Sequence, residues 1–163
     1  MDLQIRLRPL EADDGALLEE IFDQLGENSR YQRYLVPKLR LTAFELRVLT
    51  AVDHVRHEAL VALSLPDERP IGVARFVRGT DDPDIAEVAV EVVDAWHRRG
   101  VGSLLIDALV ARAVDLDVQE LAAVLAHGNV AALRLLHHVP GEIGRVAGTG
   151  GVAEYRLVLR PAC

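Results

Sequence analysis

The segment from Ala86 to Leu105 constrains this chain more than any other, because it switches from one hydrophobic period to another across two glycines. From Ala86 to Val93 the residues are mostly small or β-branched and alternate as a strand does. Ala86, Val88, Val90 and Val92 form a wholly apolar face, while Glu87, Ala89, Glu91 and Val93 form the other. Beyond Gly102 the period lengthens: Val101, Leu104, Leu105, Ala108, Leu109 and Arg112 fall at offsets of three and four, which predicts a helix starting near Gly100. Gly100 and Gly102 therefore stand where a strand hands over to a helix N-terminus.

Such a junction leaves the first helix N–H groups unpaired and turns the positive end of the helix dipole outward, which suits an anion. Arg98 and Arg99 add charge there. A Walker loop would need Lys and then Ser or Thr after its last glycine, and none follows; a dinucleotide fingerprint would need a third glycine where Leu105 stands. Half of the 163 residues are apolar, enough for one core, so a single domain over 1–163 is expected. A net charge of −7 argues against nucleic acid or an anionic membrane as the main partner and favours a cationic one. The lone cysteine, Cys163, rules out a disulfide framework or a thiolate metal cluster. Met1 to Leu10 lacks an apolar leader core and no run reaches membrane-span length, so the cytoplasm is the expected location.

Taken in order, Leu3 to Leu10 alternates as a strand that Pro9 should end. Asp13 or Asp14 can cap a helix carrying Leu17, Leu18, Ile21, Phe22 and Leu25 and stopping at Gly26. Residues 11–27 hold seven acids and no base, either a solvated helix face or an attraction for a cationic substrate. A broken helical region from Ser29 is interrupted at Pro37-Lys38 and resumes with Thr42 capping Ala43 to Val52; the break predicts a flexible lid. Two strands, Glu58 to Leu65 and Ile71 to Val77, form a hairpin around Pro66–Pro70. After the central segment come a strand, Glu120 to Ala126, a helix, Asn129 to Val139, a glycine-rich loop, Gly141 to Gly151, and a last strand, Val152 to Arg160.

His97-Arg98-Arg99-Gly100-Val101-Gly102 resembles motif A of the GNAT N-acetyltransferase superfamily, Gln/Arg-x-x-Gly-x-Gly/Ala, with His97 standing where Gln or Arg is usual. The order of elements on either side resembles the same fold. The resemblance implies an α/β (α+β) architecture: a mixed, mostly antiparallel sheet of six or seven strands flanked by about four helices. It also implies acetyl-CoA as co-substrate, its pyrophosphate wrapped by the loop from His97 through Arg98, Arg99, Gly100, Val101 and Gly102 to Ser103. The runs Ser29-Arg30-Tyr31-Gln32-Arg33-Tyr34, Asp53-His54, Glu58-Ala59-Leu60-Val61-Ala62 and Ala86–Val90 are similar to the bacterial protein-lysine acetyltransferase branch. That branch places a general base ten residues before the Gln/Arg position, here Glu87. It assigns the backbone of Val90 and Val92 to the pantetheine, with the Val90 N–H facing the thioester oxygen, and an asparagine that opens the next helix, here Asn129 with Ala132, to the same arm.

Direct acetyl transfer needs a neutral amine, and a lysine is neutral only about once in two thousand molecules at pH 7. A base is therefore useful, and partial burial of Glu87 is expected to raise its pKa toward that task. Glu91 shares its face but lies about 13 Å along the strand, out of reach of the same proton unless a bulge intervenes. The tyrosine that many relatives use to protonate the leaving thiolate is replaced by Leu136; His137 and Tyr155 are the nearby substitutes. His54, His57 and His127 lack metal-ligand spacing, so no metal is expected. The expected function is an N-acetyltransferase acting on a primary amine, protein lysine before a small-molecule amine. A non-catalytic acyl-CoA-binding module is the rival, and a homodimer is left open.

Overall fold

The computed structural model describes residues 4–160; Leu3 and Cys163 lie outside the described residues. Seven strands form one sheet in the order β1-β2-β3-β4-β5-β7-β6: β1 Ile5–Pro9, β2 His57–Ser64, β3 Arg69–Arg78, β4 Ile85–Val92, β5 Glu120–Ala126, β6 Gly141–Thr149 and β7 Val152–Leu159. Five α-helices accompany it: α1 Gly15–Asp23, α2 Glu27–Tyr34, α3 Ala43–Thr50, α4 Val101–Asp115 and α5 Val130–His138. Every neighbouring pair of strands is antiparallel except β4 and β5. That exception follows from α4, the crossover that two parallel neighbours require.

Helices cover the two sheet faces unequally. On one face Gly72, Ala74 and Phe76 of β3 pair with Val92, Val90 and Val88 of β4. The apolar side of α4 lies on them: a Cβ at Gly72 would meet Leu105 and Val101, and Leu105, Ile106, Leu109 and Ala113 are buried. Leu104, expected on that face, is exposed, because the stripe follows Leu105 and Ile106 instead. The other face carries Val73, Arg75 and Val77 beside Glu91, Ala89 and Glu87. Helices α1 to α3 cover its upper half, burying Val73, Arg75 and Glu91, while Val77, Glu87, Val124 and Val158 remain exposed.

Local chemistry sets most element ends. Thr42 and Glu45 form a reciprocal capping box at the start of α3. Asp14 stands at the start of α1 but gives it no side-chain cap; its carboxylate takes Arg8 in a bidentate pair, 2.7 and 3.0 Å, and the Glu11 N–H. Pro9 does not end the pairing of β1: it faces Leu60, and Leu10 still donates to Ala59 O. An edge strand tolerates a proline whose missing N–H would face solvent. The stretch expected as a glycine-rich loop is β6, an exposed edge strand that β7 templates, closed by Gly150 and Gly151 at positive φ. Neither α2 nor α3 buries a residue completely, although Tyr34, Leu46 and Leu49 pack against the core.

Candidate active site

The central feature is a parting of strands. β4 and β5 pair only over Ile85–Glu87 and Glu120–Ala122, although both continue beyond. Past Glu87 the backbone groups of β4 that point away from β3 have no strand partner. Val93 N–H donates to Ile71 O and Ile85 O accepts from Gly79, so odd-numbered residues bond toward β3; Val90 and Val92 turn their N–H and C=O groups into the gap. A cleft of about 610 Å³ runs through that gap, from the α1–α2 turn on one sheet face to α4 and α5 on the other.

Gly100 caps the α4 end. It holds φ +83°, a left-handed conformation that costs any side-chain-bearing residue energy, and has no side-chain cap. The N–H groups of Val101, Gly102 and Ser103 are thus open toward the cleft. The two glycines differ in purpose. A Cβ at Gly100 would meet nothing, whereas one at Gly102 would meet Leu135 at 3.2 Å, so Gly102 serves the packing of α4 on α5. Arg98, also left-handed at φ 62°, lines the cleft; Arg99 stacks over the Trp96 ring, 5.0 Å from its centroid, and does not. His97 donates from Nε2 to Val92 O at 2.7 Å, which occupies one of the two backbone groups expected for the pantetheine and leaves the Val92 N–H. Asn129 accepts from Ala132 N–H as the cap of α5, leaving its amide nitrogen as the donor facing the cleft.

Val90, Val92, His97, Arg98, Gly100, Val101, Gly102, Ser103 and Asn129 therefore line one cleft, while Glu87 and Arg99 lie outside its lining. Glu87 is exposed rather than partly buried, because the helices stop short of its row; it stands at the apex where β4 and β5 part. Glu91, on the same face in unbroken register with β3, is buried beneath α2. Its Oε2 has no hydrogen-bond partner, and Arg33 Nε lies 3.8 Å away. Burial pushes the Glu91 carboxyl pKa up, outweighing Arg33 and Arg75. Arg75, donating to Leu49 O and His57 Nε2, is pushed down to about 10 by burial.

The wall made by Leu25, Ser29, Gln32 and Arg33 comes from the α1–α2 turn folding over β4; the Ser29–Tyr34 run stands out in the sequence by resemblance, but its place beside β4 does not. Leu136 is buried in the core and Tyr155 packs against it from β7. Among the described residues no cluster of His, Cys, Asp and Glu is placed to hold a metal, and no helix is long and apolar enough to cross a membrane.

The Acetyltransferase (GNAT) family model matches residues 17–139. Acetyltransferase Pat of Mycolicibacterium smegmatis is 34% identical over 91 residues, spanning 56% of this chain and 27% of that protein, so the chain covers about a quarter of that relative's length. The GNAT domain of S. lividans PAT superposes with a TM-score of 0.85 at 27% identity, over 95% of this chain and 90% of that one. The structure of yncA from Salmonella typhimurium with its cofactor acetyl-CoA shares the fold at a TM-score of 0.73 and 19% identity, over 97% and 95% of the two chains. With the parted strands, the open α4 N-terminus and a match that includes both, the chain belongs to the GNAT acetyltransferase family.

Proposed function

We propose that this chain, acting as one domain in the cytoplasm, moves the acetyl group of acetyl-CoA directly to a primary amine, with protein lysine as the acceptor. The observation that carries this reading is the cleft through the sheet, which joins the open N-terminus of α4 on one face to the α1–α2 turn over β4 on the other, with Glu87 outside its lining at the apex where β4 and β5 part. The residues present suit an acyl-CoA: unpaired N–H groups with Arg98 at one end, unpaired strand backbone in the middle. Acetyl-CoA supplies the activated acyl carbon; as the amide C–N bond forms, the thioester C–S bond breaks and CoA leaves as its thiolate, which takes a proton from water.

The chain's own groups do the rest. The Val101, Gly102 and Ser103 N–H groups hold the pyrophosphate, and the Val92 N–H and Asn129 amide orient the pantetheine arm. The Val90 N–H, fixed in the strand before substrate arrives, stabilises negative charge as it develops on the acyl oxygen. The Glu87 carboxylate takes the proton of the attacking amine through water; its exposure leaves room for that water and for a lysine carried on a protein surface. Lysine is favoured by the resemblance of the 29–34 and 86–90 runs to the protein-lysine branch and by the acidic stretch 11–27.

Mass spectrometry of cell lysate incubated with isotope-labelled acetyl-CoA, with and without the protein, tests the proposal. Labelled acetyl-lysine on proteins that depends on the added chain is expected. Labelled small amines alone would move the acceptor to small molecules, and retention of acetyl-CoA with no labelled product would leave a binding module.

A further inference from the structure

We propose that Asp94 is a positioning residue that ties the acceptor-side helix α2 to the loop that receives acyl-CoA, so that ordering one orders the other. The inference rests on the acyl-CoA reading above. Asp94 follows β4 by two residues and opens the short turn Asp94–Trp96 that leads into the His97–Gly100 loop. Its Oδ1 accepts a 2.7 Å hydrogen bond from Ser29 Oγ, in the first turn of α2 and 65 residues away in sequence. The same oxygen lies 3.9 Å from His97 Nε2, the nitrogen that donates to Val92 O. One carboxylate thus stands between α2 and the ring that fixes the end of β4.

The α1–α2 turn is shaped to admit that carboxylate. Gly26, the residue before α2, has φ −69° and ψ 168°, a conformation open to any residue, so its lack of a side chain is not a backbone requirement. A Cβ there would fall 2.5 Å from Asp94 Oδ2 and would drive the carboxylate away. Ser29 and His97 both line the cleft. Asp94 and His97 are each about half exposed, so the joint adds little stability of its own; its consequence is placement. Substrate contacts that order the 97–100 loop should hold Asp94 still and, through Ser29, hold α2 over the acceptor side.

Hydrogen exchange of the α2 amides, with and without acetyl-CoA, reads this directly. In the unliganded parent, exchange should be slower than in Ser29→Ala or Asp94→Ala by about twofold to tenfold, the range of one such hydrogen bond. Acetyl-CoA should slow α2 exchange further in the parent and leave it unchanged in both variants. Asp94→Asn keeps an acceptor oxygen for Ser29 and should retain the response. Gly26→Ser reaches the same joint from the other side: serine caps a helix only slightly better than glycine, so when its Cβ displaces Asp94 the unliganded α2 exchange should quicken toward that of Ser29→Ala and the response to acetyl-CoA should vanish. Sheet amides serve as the check that each variant is folded. Equal unliganded exchange in parent, Ser29→Ala and Asp94→Ala overturns the link, and an unaltered acetyl-CoA response in Asp94→Ala or Gly26→Ser overturns the coupling. A parent that fails to bind acetyl-CoA overturns the functional reading instead, and the unliganded comparison still decides whether Asp94 holds α2.

Discussion

Two carboxylates four residues apart on one strand have opposite surroundings, and their variants should separate catalysis from stability. Glu87, exposed at the apex of the parted strands, is the proposed base; Glu87→Gln should lower turnover by about 10²- to 10⁴-fold with acetyl-CoA affinity unchanged, and the loss should shrink as pH rises toward the amine pKa. Steady-state rates across pH check this; an undiminished rate would remove Glu87 from the mechanism. Glu91 is buried with an unpaired oxygen and a raised pKa, so the folded state holds its proton more tightly than the unfolded chain. Its contribution to stability is then present below the unfolded value near 4.3 and is lost as pH rises through the folded one. Glu91→Gln, which cannot ionise, should gain on the parent in denaturant titrations as pH rises above about 4.3, with turnover reduced less than about tenfold. The glycines separate in the same way. Gly100→Glu forces a side chain into φ +83° and puts a negative charge at the anion end of the cleft; calorimetry should show acetyl-CoA affinity falling by about tenfold or more. Gly102→Ala only presses Leu135 at 3.2 Å and should cost stability before affinity.

At the scale of elements, the α3–β2 connection carries two histidines with opposed titrations. His54 Nδ1 meets Glu58 at 2.8 Å, and that bond, with Glu11 nearby, raises its pKa. His57 is half-buried, donates from Nδ1 to Ala51 O and accepts at Nε2 from Arg75, an arrangement only the neutral ring can make, and its pKa is lowered by that burial and by Arg75. The stability due to His54 is therefore full below about pH 6.5 and lost as pH rises through its folded pKa, whereas that due to His57 is full above about pH 6.5 and lost on acidification. His54→Gln should cost more at pH 6 than at pH 8 and His57→Gln the reverse, by denaturant midpoints; matching trends in both variants would contradict the assignment. These elements were only partly legible. Strong periodicity or caps marked β5, α5 and the Thr42 start of α3, because the signals are local. β6 reads locally as a glycine-rich loop and enters only as the optional seventh strand of the fold resembled, because its glycines have no strand preference and pair only through β7. The burial of Glu91 was hidden for a related reason: alternation places it with Glu87 on one face, but where the helices stop across that face depends on packing that no single strand encodes.

Over the whole molecule the charge is unevenly spread, and this bears on the acceptor. Residues 11–27 hold seven acids and no base, whereas residues 28–56 hold six bases and two acids within a chain of net charge −7. The basic segment is held at several points: Arg30 donates to Phe22 O and lies over the Phe22 ring, and Lys38 pairs with Glu45. The part of the cleft lined by the 97–103 loop, β4 and Asn129 was legible because those residues fall within short spacings. The acceptor half was not, since Leu25, Ser29 and Arg33 meet β4 only through tertiary folding. A cationic acceptor approaching that half passes α1, where Glu20 and Asp23 are exposed. Glu27 is a poor probe of this field, because it sits in the first turn of α2, where its charge also stabilises the helix dipole. Glu20→Gln with Asp23→Asn isolates the long-range effect. Exposed charges act over a Debye length of about 30 Å at 0.01 M salt and about 3 Å at 1 M. The Michaelis constant for a lysine peptide should therefore rise about twofold to fivefold in dilute buffer and converge on the parent's at high salt, with kcat unchanged. A difference that persists at high salt would mean direct contact with the acceptor, and no difference in dilute buffer would leave the acids of α1 a role in solubility alone.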